Sequence, residues 1–251
     1  MMKSLSGKEI KFLKSLSQKK FRDEYGLFTV EGDKMVDEAL KSGYDVTEVY
    51  RRDEIGEEQM SRISLLSSPS PSLAVVRKPS GFCLSDEDIQ GQVSSIILSG
   101  KSLSLALDGV RDPGNMGTII RIADWFGLDA VFASGDSVDF FNPKVVQATM
   151  GAVFRMKLLS CSIVRLCREY GSLGQRTFGT FLDGDCIYSC SFNPSGLIIM
   201  GNEANGISQT VAGMVSDRLF IPPYPSGQTR SESLNVAVAT AITVSEFRRR
   251  G

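Results

Sequence analysis

The stretch Leu103–Ala133, LSLALDGVRDPGNMGTIIRIADWFGLDAVFA, decides the fold. Leu103 to Leu107 is an apolar run of strand length, and Asp108 to Gly117 is a polar, glycine-rich loop. From Thr118 to Phe126, Ile119, Ile122, Ala123 and Phe126 share one face at helical spacing, and Gly127 ends the run. Ala130–Ala133 is the next strand. Strand, loop, helix and strand in this order form a βαβ unit, which predicts a parallel sheet.

Downstream, strands are expected at Thr177–Leu182, Leu197–Met200 and Arg218–Ile221, with a last helix from Ser233 to Arg249. Upstream, apolar runs at Leu27–Val30, Val46–Tyr50, Ile63–Leu66 and Leu73–Val76 read as strands. Glu31 to Lys41 reads as a helix closed by Gly43, and Ser67–Ser72 as a loop. This is the pattern of a small α/β domain. Ser99–Ser102 is the expected boundary, giving domains 1–100 and 101–251.

Composition narrows the chemistry. The chain has 251 residues, 42% hydrophobic and 23% charged, as a soluble globular protein has. No apolar run is long enough for a membrane span. Met1–Glu9 lacks a continuous apolar core, so no secretory signal is expected and the cytoplasm is the expected location. The five cysteines contain no Cys-x-x-Cys pair and read as reduced thiols, not as a disulfide framework or metal site. There is no histidine. That excludes histidine-based triads, acid/base steps and metal ligation, and leaves arginine, lysine, carboxylates, hydroxyls, amides or a cofactor.

The net charge of −1 argues against a globally basic nucleic-acid binder, but not against a local patch. Lys3 to Arg22 carries seven basic residues against one acidic one, Glu9. Ile10, Leu13 and Leu16 give it roughly helical spacing. It reads either as a solvated amphipathic helix or as a phosphate-contacting surface through Lys11, Lys14, Lys19, Lys20 and Arg22.

Three loops carry the candidate chemistry. In the first, Asn115 and Gly117 stand at the mouth of a helix with Arg121 about a turn further on, an arrangement suited to anions. An asparagine cap and a surface arginine would look the same. Gly109, Gly114 and Gly117 do not have dinucleotide-binding spacing, and Gly100-Lys101-Ser102 precedes a strand, unlike a P-loop. In the second, the strand Leu197–Met200 ends at Gly201-Asn202-Glu203, the edge where open α/β sheets bind ligands. In the third, the Pro/Gly-rich stretch from Ile221 leads into a helix opened by Ser233, with Leu234, Val238, Ala241 and Ile242 on its core face.

Together, Asn115-x-Gly117-x-x-x-Arg121, Gly201-Asn202-Glu203 and Ser233-Leu234-Asn235-Val236-Ala237 resemble, in order, the three motifs of the SpoU (TrmH-like) branch of the SPOUT methyltransferases. Asn142–Ala152 resembles the segment between the first two motifs. Residues 11–40, with Gly26–Gly32, resemble the ribosomal-protein-like RNA-binding domain that many members carry in front. The resemblance implies an α/β catalytic domain with a parallel sheet and a deep trefoil knot, and a homodimer formed through that domain. It implies transfer of a methyl group from S-adenosylmethionine to an RNA ribose 2′-hydroxyl. Ribosomal RNA is favoured over transfer RNA because of the separate N-terminal domain.

By position, the resemblance carries cofactor binding to Thr180, Gly201, Ile221 and Leu234, and catalysis to Asn115, Arg121, Glu203, Ser233 and Asn235. Arg121 is favoured as the group acting on the hydroxyl, although a permanently charged guanidinium is a demanding base. Glu203 is the alternative base, or else a carboxylate that holds the loops. Two features depart from the family pattern: the loop between Ile221 and Ser233 is longer than usual, and Gln147 stands where many members have a basic residue. A transfer-RNA enzyme and a catalytically silent ribosome-assembly factor are the competing readings. An oxidoreductase is disfavoured by the missing dinucleotide fingerprint.

Overall fold

The computed structural model describes residues 4–98, 102–191, 193–224 and 233–250, and the chain forms two compact units. The first unit holds the residues up to Ser80 together with Asp139–Arg155. Its elements are α1 (Gly7–Ser15), α2 (Lys19–Tyr25), β1 (Leu27–Glu31), α3 (Asp33–Lys41), β2 (Val46–Arg51), α4 (Arg52–Ile55), α5 (Glu57–Ile63) and β3 (Ser72–Arg77). β3 lies between β1 and β2, antiparallel to both, with Thr29 opposite Val75 and Val49 opposite Ala74.

The basic N-terminal stretch is two helices, not one. Ser6 opens α1 with a reciprocal Ser6/Glu9 capping box. The chain turns at Leu16–Gln18, and Gly26, left-handed at φ 64°, ends α2. Leu13, Leu16, Tyr50, Met60, Ile63 and Leu73 form the core beneath the helices.

Ile63–Leu66, expected as a strand, instead ends α5 and continues as coil. The buried Glu31 carboxylate accepts from the Ser64 hydroxyl at 2.5 Å and the Leu65 N–H at 2.7 Å, which diverts this backbone from a ladder.

The second unit holds Gly81–Val138 and the residues from Met156 onward. The two units part at Ser80/Gly81, so the second also takes in the segment ahead of the expected Ser99–Ser102 boundary, of which residues 99–101 lie outside the described residues. The cause is α6 (Asp86–Ile97), whose Ile89, Val93 and Ile96 enter the second unit's core with Ala106, Phe132 and Ile199.

Its sheet comprises β4 (Leu103–Asp108), β5 (Val131–Ala133), β6 (Leu158–Ser160), β7 (Thr177–Cys186), β8 (Gly196–Gly201) and β9 (Asp217–Phe220). The order is β6-β5-β4-β8-β7-β9, and every pairing is parallel. The helices are α6, α7 (Pro113–Trp125), α9 (Ile163–Ser172), α10 (Gln209–Ala212) and α11 (Val236–Arg249). α8 (Pro143–Thr149), whose sequence leaves between β5 and β6, belongs to the first unit. Among the described residues no helix is long and apolar enough to cross a membrane.

From β4 the chain winds outward through β5 and β6, then returns on the other side of β4 through β7 and β8. The seam between β4 and β8 is thus a topological switch point, with Asp108 paired to Gly201 at its carboxyl end. Open parallel sheets bind ligands at such a crevice.

Candidate functional site

Both loops at this crevice are tied by local hydrogen bonds. The Asn202 amide donates to the Gly109 carbonyl at 2.7 Å, joining the loop after β8 to the loop after β4. The Asn202 side-chain oxygen accepts from the N–H groups of Ala204 and Asn205, which closes a tight turn. Asp108 accepts from the Ser208 N–H at 2.8 Å. Gly201 has no room for a side chain: a Cβ there would stand 2.1 Å from the Gly206 carbonyl carbon.

The first loop is shorter than the sequence suggested, because α7 starts at Pro113. The Asp112 side chain caps the helix by accepting from the Asn115 N–H at 2.8 Å, and Pro113 occupies the first turn, where its missing N–H costs nothing. Asn115 is therefore inside the helix and is not its cap. Likewise, α11 is opened by Asn235, not Ser233: Asn235 Oδ1 accepts from Ala237 N–H at 2.9 Å and Val238 N–H at 3.3 Å.

One relay joins the three motifs. Asn235 Nδ2 donates to Asn115 Oδ1 at 2.9 Å, and Asn115 Nδ2 donates to Glu203 Oε1 at 3.1 Å. Glu203 also accepts from the N–H groups of Asp112 at 3.3 Å and Arg111 at 3.4 Å. Partial burial pushes the Glu203 carboxyl upward, but the donors from Asn115 and from backbone amides outweigh it and hold the group below its ordinary range. A carboxylate so engaged at a helix N-terminus is a clamp and a weak base.

Arg121 stands outside this relay. It is exposed on α7, and among the described residues it makes no hydrogen bond or ion pair. Six positions separate it from Asn115, which turns it about 120° around the helix. Its neighbour one turn on, Trp125, is 85% exposed.

Beside the relay lies a cavity of about 850 Å³. All four residues expected to hold a cofactor, Thr180, Gly201, Ile221 and Leu234, line it, as do Ser233 and Glu203. Asn115 and Asn235 reach it only through Glu203, and Arg121 is not in its wall. Met200, Phe220, Pro222 and Pro223 add apolar wall that the sequence reading did not single out. Tyr224 is 92% exposed, and residues 225–232 of the long loop lie outside the described residues.

In the first unit the expected RNA contacts divide. Lys11, Lys14, Lys19 and Lys20 are exposed. Lys14 donates to the Ser64 carbonyl at 2.9 Å, and Lys19 pairs with Asp23 at 2.7 Å. Arg22 is no surface contact: it is 1% exposed and bonded to Asp139 at 2.7 Å. It also donates to the Leu16 and Ser17 carbonyls, so it completes the C-terminal end of α1. Asp139 is remote in sequence, and nothing in the N-terminal pattern announces it.

Comparison with known proteins agrees with this geometry. Residues 102–245 match the model of the SpoU rRNA Methylase family, and residues 7–76 match the MRM3-like substrate binding domain. The 23S rRNA (guanosine(2553)-2′-O)-methyltransferase RlmP of Bacillus subtilis is 30% identical, over 98% of both chains. A TrmH-family protein from Porphyromonas gingivalis superposes with a TM-score of 0.85 at 36% identity, covering 98% of this chain and 99% of that one. The AdoMet-bound rRNA methyltransferase from Sinorhizobium meliloti gives 0.84 at 29% identity, covering 99% and 98%. The chain belongs to the SpoU rRNA methylase family.

Proposed function

We propose that the chain transfers a methyl group from S-adenosylmethionine to a ribose 2′-hydroxyl of ribosomal RNA. The observation that carries this reading is the cavity at the sheet's switch point, lined by Thr180, Gly201, Ile221 and Leu234 and braced by the Asn235–Asn115–Glu203 relay. The cavity fits such a cofactor chemically. Ile221, Leu234 and the neighbouring prolines offer apolar surface to a purine, the loop at Gly201 brings backbone close, and Glu203 supplies negative charge near a sulfonium. Bound there, the cofactor supplies an electrophilic methyl group.

The remaining work falls to the protein. Glu203, already bound by four groups, keeps the loops after β4 and β8 in register. Arg121 presents forked donors to the ribose oxygen and stabilises the charge that develops as the hydroxyl proton passes to water and the oxygen takes the methyl group. Ser233 at the cavity wall orients the RNA backbone or the loop.

Ribosomal RNA is preferred to transfer RNA because of the substrate-binding unit in front and the relatives named above. The knotted path of the C-terminal segment implied by the family belongs to the same reading. So does a homodimer. Trp125, 85% exposed on α7, and Val238, 49% exposed on the neighbouring α11, are apolar side chains that a second copy would cover. Arg121 lies one turn before Trp125 on α7, so pairing through Trp125 would set it at the seam between subunits.

The test is methyl transfer from labelled S-adenosylmethionine to ribosomal and transfer RNA from cells lacking the protein, followed by mapping of the 2′-O-methyl position. Incorporation at a ribosomal ribose is expected. Label in transfer RNA alone would change the substrate, and cofactor binding without transfer would favour the silent assembly factor. In the same preparation, emission from Trp125, the chain's one tryptophan, should shift to the red on dilution. Concentration-independent emission would argue against pairing through that face.

A further inference from the structure

The turn between α1 and α2 gathers three aromatic rings among lysines. Phe12 of α1 meets Tyr25 of α2 edge-on, with centroids 5.2 Å apart and planes at 64°. Phe21, one turn before Tyr25, lies nearly parallel to it, at 6.2 Å and 13°. Phe12 is anchored from below by the core of Leu13, Leu16 and Tyr50. Tyr25 is 41% exposed, and its hydroxyl makes no hydrogen bond among the described residues.

Lysines flank this cluster on both helices. The Lys20 ammonium is 5.7 Å from the Phe21 ring centroid. Lys8, one turn before Phe12, and Lys11, next to it, are exposed and make no ion pair among the described residues. Arg22 holds the two helices in fixed relation from beneath, through Asp139 and the carbonyls of Leu16 and Ser17.

Packing alone accounts for Phe12, whose ring closes the core. It does not account for an exposed ring backed by two others, with Lys20 beside one of them and the unpaired Lys8 and Lys11 on the helix that carries the third. A flat π surface on a rigid support, flanked by positive charge, matches one ligand chemistry closely: an unpaired nucleobase whose neighbouring phosphates meet the lysines. A protein partner would instead ask for acidic side chains and a wider apolar area.

We propose that Tyr25, supported by Phe12 and Phe21, stacks an unpaired base of the RNA substrate while Lys8, Lys11 and Lys20 hold the adjoining phosphates. This rests on the reading that the chain acts on RNA. It goes further in naming single-stranded or looped RNA as the feature the first unit selects. It also separates the contribution of the ring from that of charge.

The experiment measures binding of the full chain to a labelled single-stranded RNA and to a fully paired duplex of equal length, across a salt series. Tyr25→Ala and Tyr25→Leu should weaken single-strand binding by about 5- to 100-fold, the range for one lost base stack. Duplex affinity and the salt slope should stay unchanged. Tyr25→Phe should bind as the parent, since the ring and not the hydroxyl is used. Lys11→Gln with Lys20→Gln should weaken both RNAs and flatten the slope. Wild-type affinity for single strands in Tyr25→Leu, with the lysine effect intact, overturns the stacking site and leaves the RNA reading standing. If neither set of variants changes RNA affinity while methyl transfer persists, the patch is not an RNA surface and a protein partner takes its place. A parent chain that neither binds nor methylates RNA overturns the functional reading itself.

Discussion

The α1–α2 pair and the α7–α11 pair each carry an arginine singled out by the sequence, Arg22 and Arg121, with opposite results. In the first, Arg22 is sealed at 1% exposure against Asp139, whose side chain is 6% exposed, and it satisfies two carbonyls at the end of α1. In the second, the carboxylate is Glu203, but amides of Arg111, Asp112 and Asn115 already occupy it, and Arg121 points to solvent. An arginine becomes structural where buried acceptors have no other donor. Arg121, which faces no such acceptor, keeps its guanidinium for a ligand.

The strongest way to break this comparison is Arg22→Ala. Removing one partner of a buried pair strands Asp139 without compensation, which costs about 3–5 kcal/mol. Chemical denaturation followed by fluorescence and circular dichroism should show early loss of the first unit. S-adenosylmethionine binding by the second unit, measured by calorimetry, should persist. Arg22→Met with Asp139→Leu should recover much of the loss, because the desolvation cost disappears with both charges. A stable Arg22→Ala protein that only loses RNA affinity would return Arg22 to the RNA surface.

The next effect belongs to Arg121. Arg121→Lys and Arg121→Ala should each lower single-turnover methylation by about 10²–10³-fold, as removal of an oxyanion donor does. Folding and cofactor affinity should stay intact. Lysine cannot substitute for a forked donor, although it restores the charge. A near-parental rate for Arg121→Lys would reduce Arg121 to a surface helix residue.

What was legible in the sequence was what local chemistry writes. The βαβ unit followed from apolar runs and helical spacing over Leu103–Ala133, and the crevice followed from Gly201-Asn202-Glu203 at a strand end. The start of α7 was also legible, since Asp112-Pro113 is a cap followed by proline, but the glycines nearby drew the loop too long. Ser85 with Asp88 is a capping box that would have announced α6. The membership of Asp139–Arg155 in the first unit was not legible. It depends on Phe141 against Phe28 and on Asp139 with Arg22, contacts more than 100 residues apart. That Asn115 and Arg121, read as one motif, lie on different faces of α7 follows from their six-residue spacing once the helix is known to begin at Pro113 and so to contain both.

Glu203 gives the smallest effect and the finest discrimination. As a clamp, it needs two acceptor oxygens, because the side-chain amides of Asn115 and Asn202 and two backbone N–H groups all point at it. Glu203→Gln keeps one acceptor and turns a donor toward the amides, so the loops should loosen slightly and turnover should fall less than about tenfold, the loss of about one hydrogen bond. As a general base it would cost about 10²–10⁴-fold. The pH profile separates the two independently. The folded-state carboxyl titrates below its unfolded value, so any stability it contributes is complete above the unfolded range and is lost as pH falls through the folded value. At neutral pH Glu203 is therefore ionised throughout. The rate should show no dependence on its titration above about pH 5, and Glu203→Gln should leave the shape of the pH–rate curve unchanged. A rate limb near neutrality that vanishes in Glu203→Gln would make Glu203 the base and leave Arg121 a secondary role.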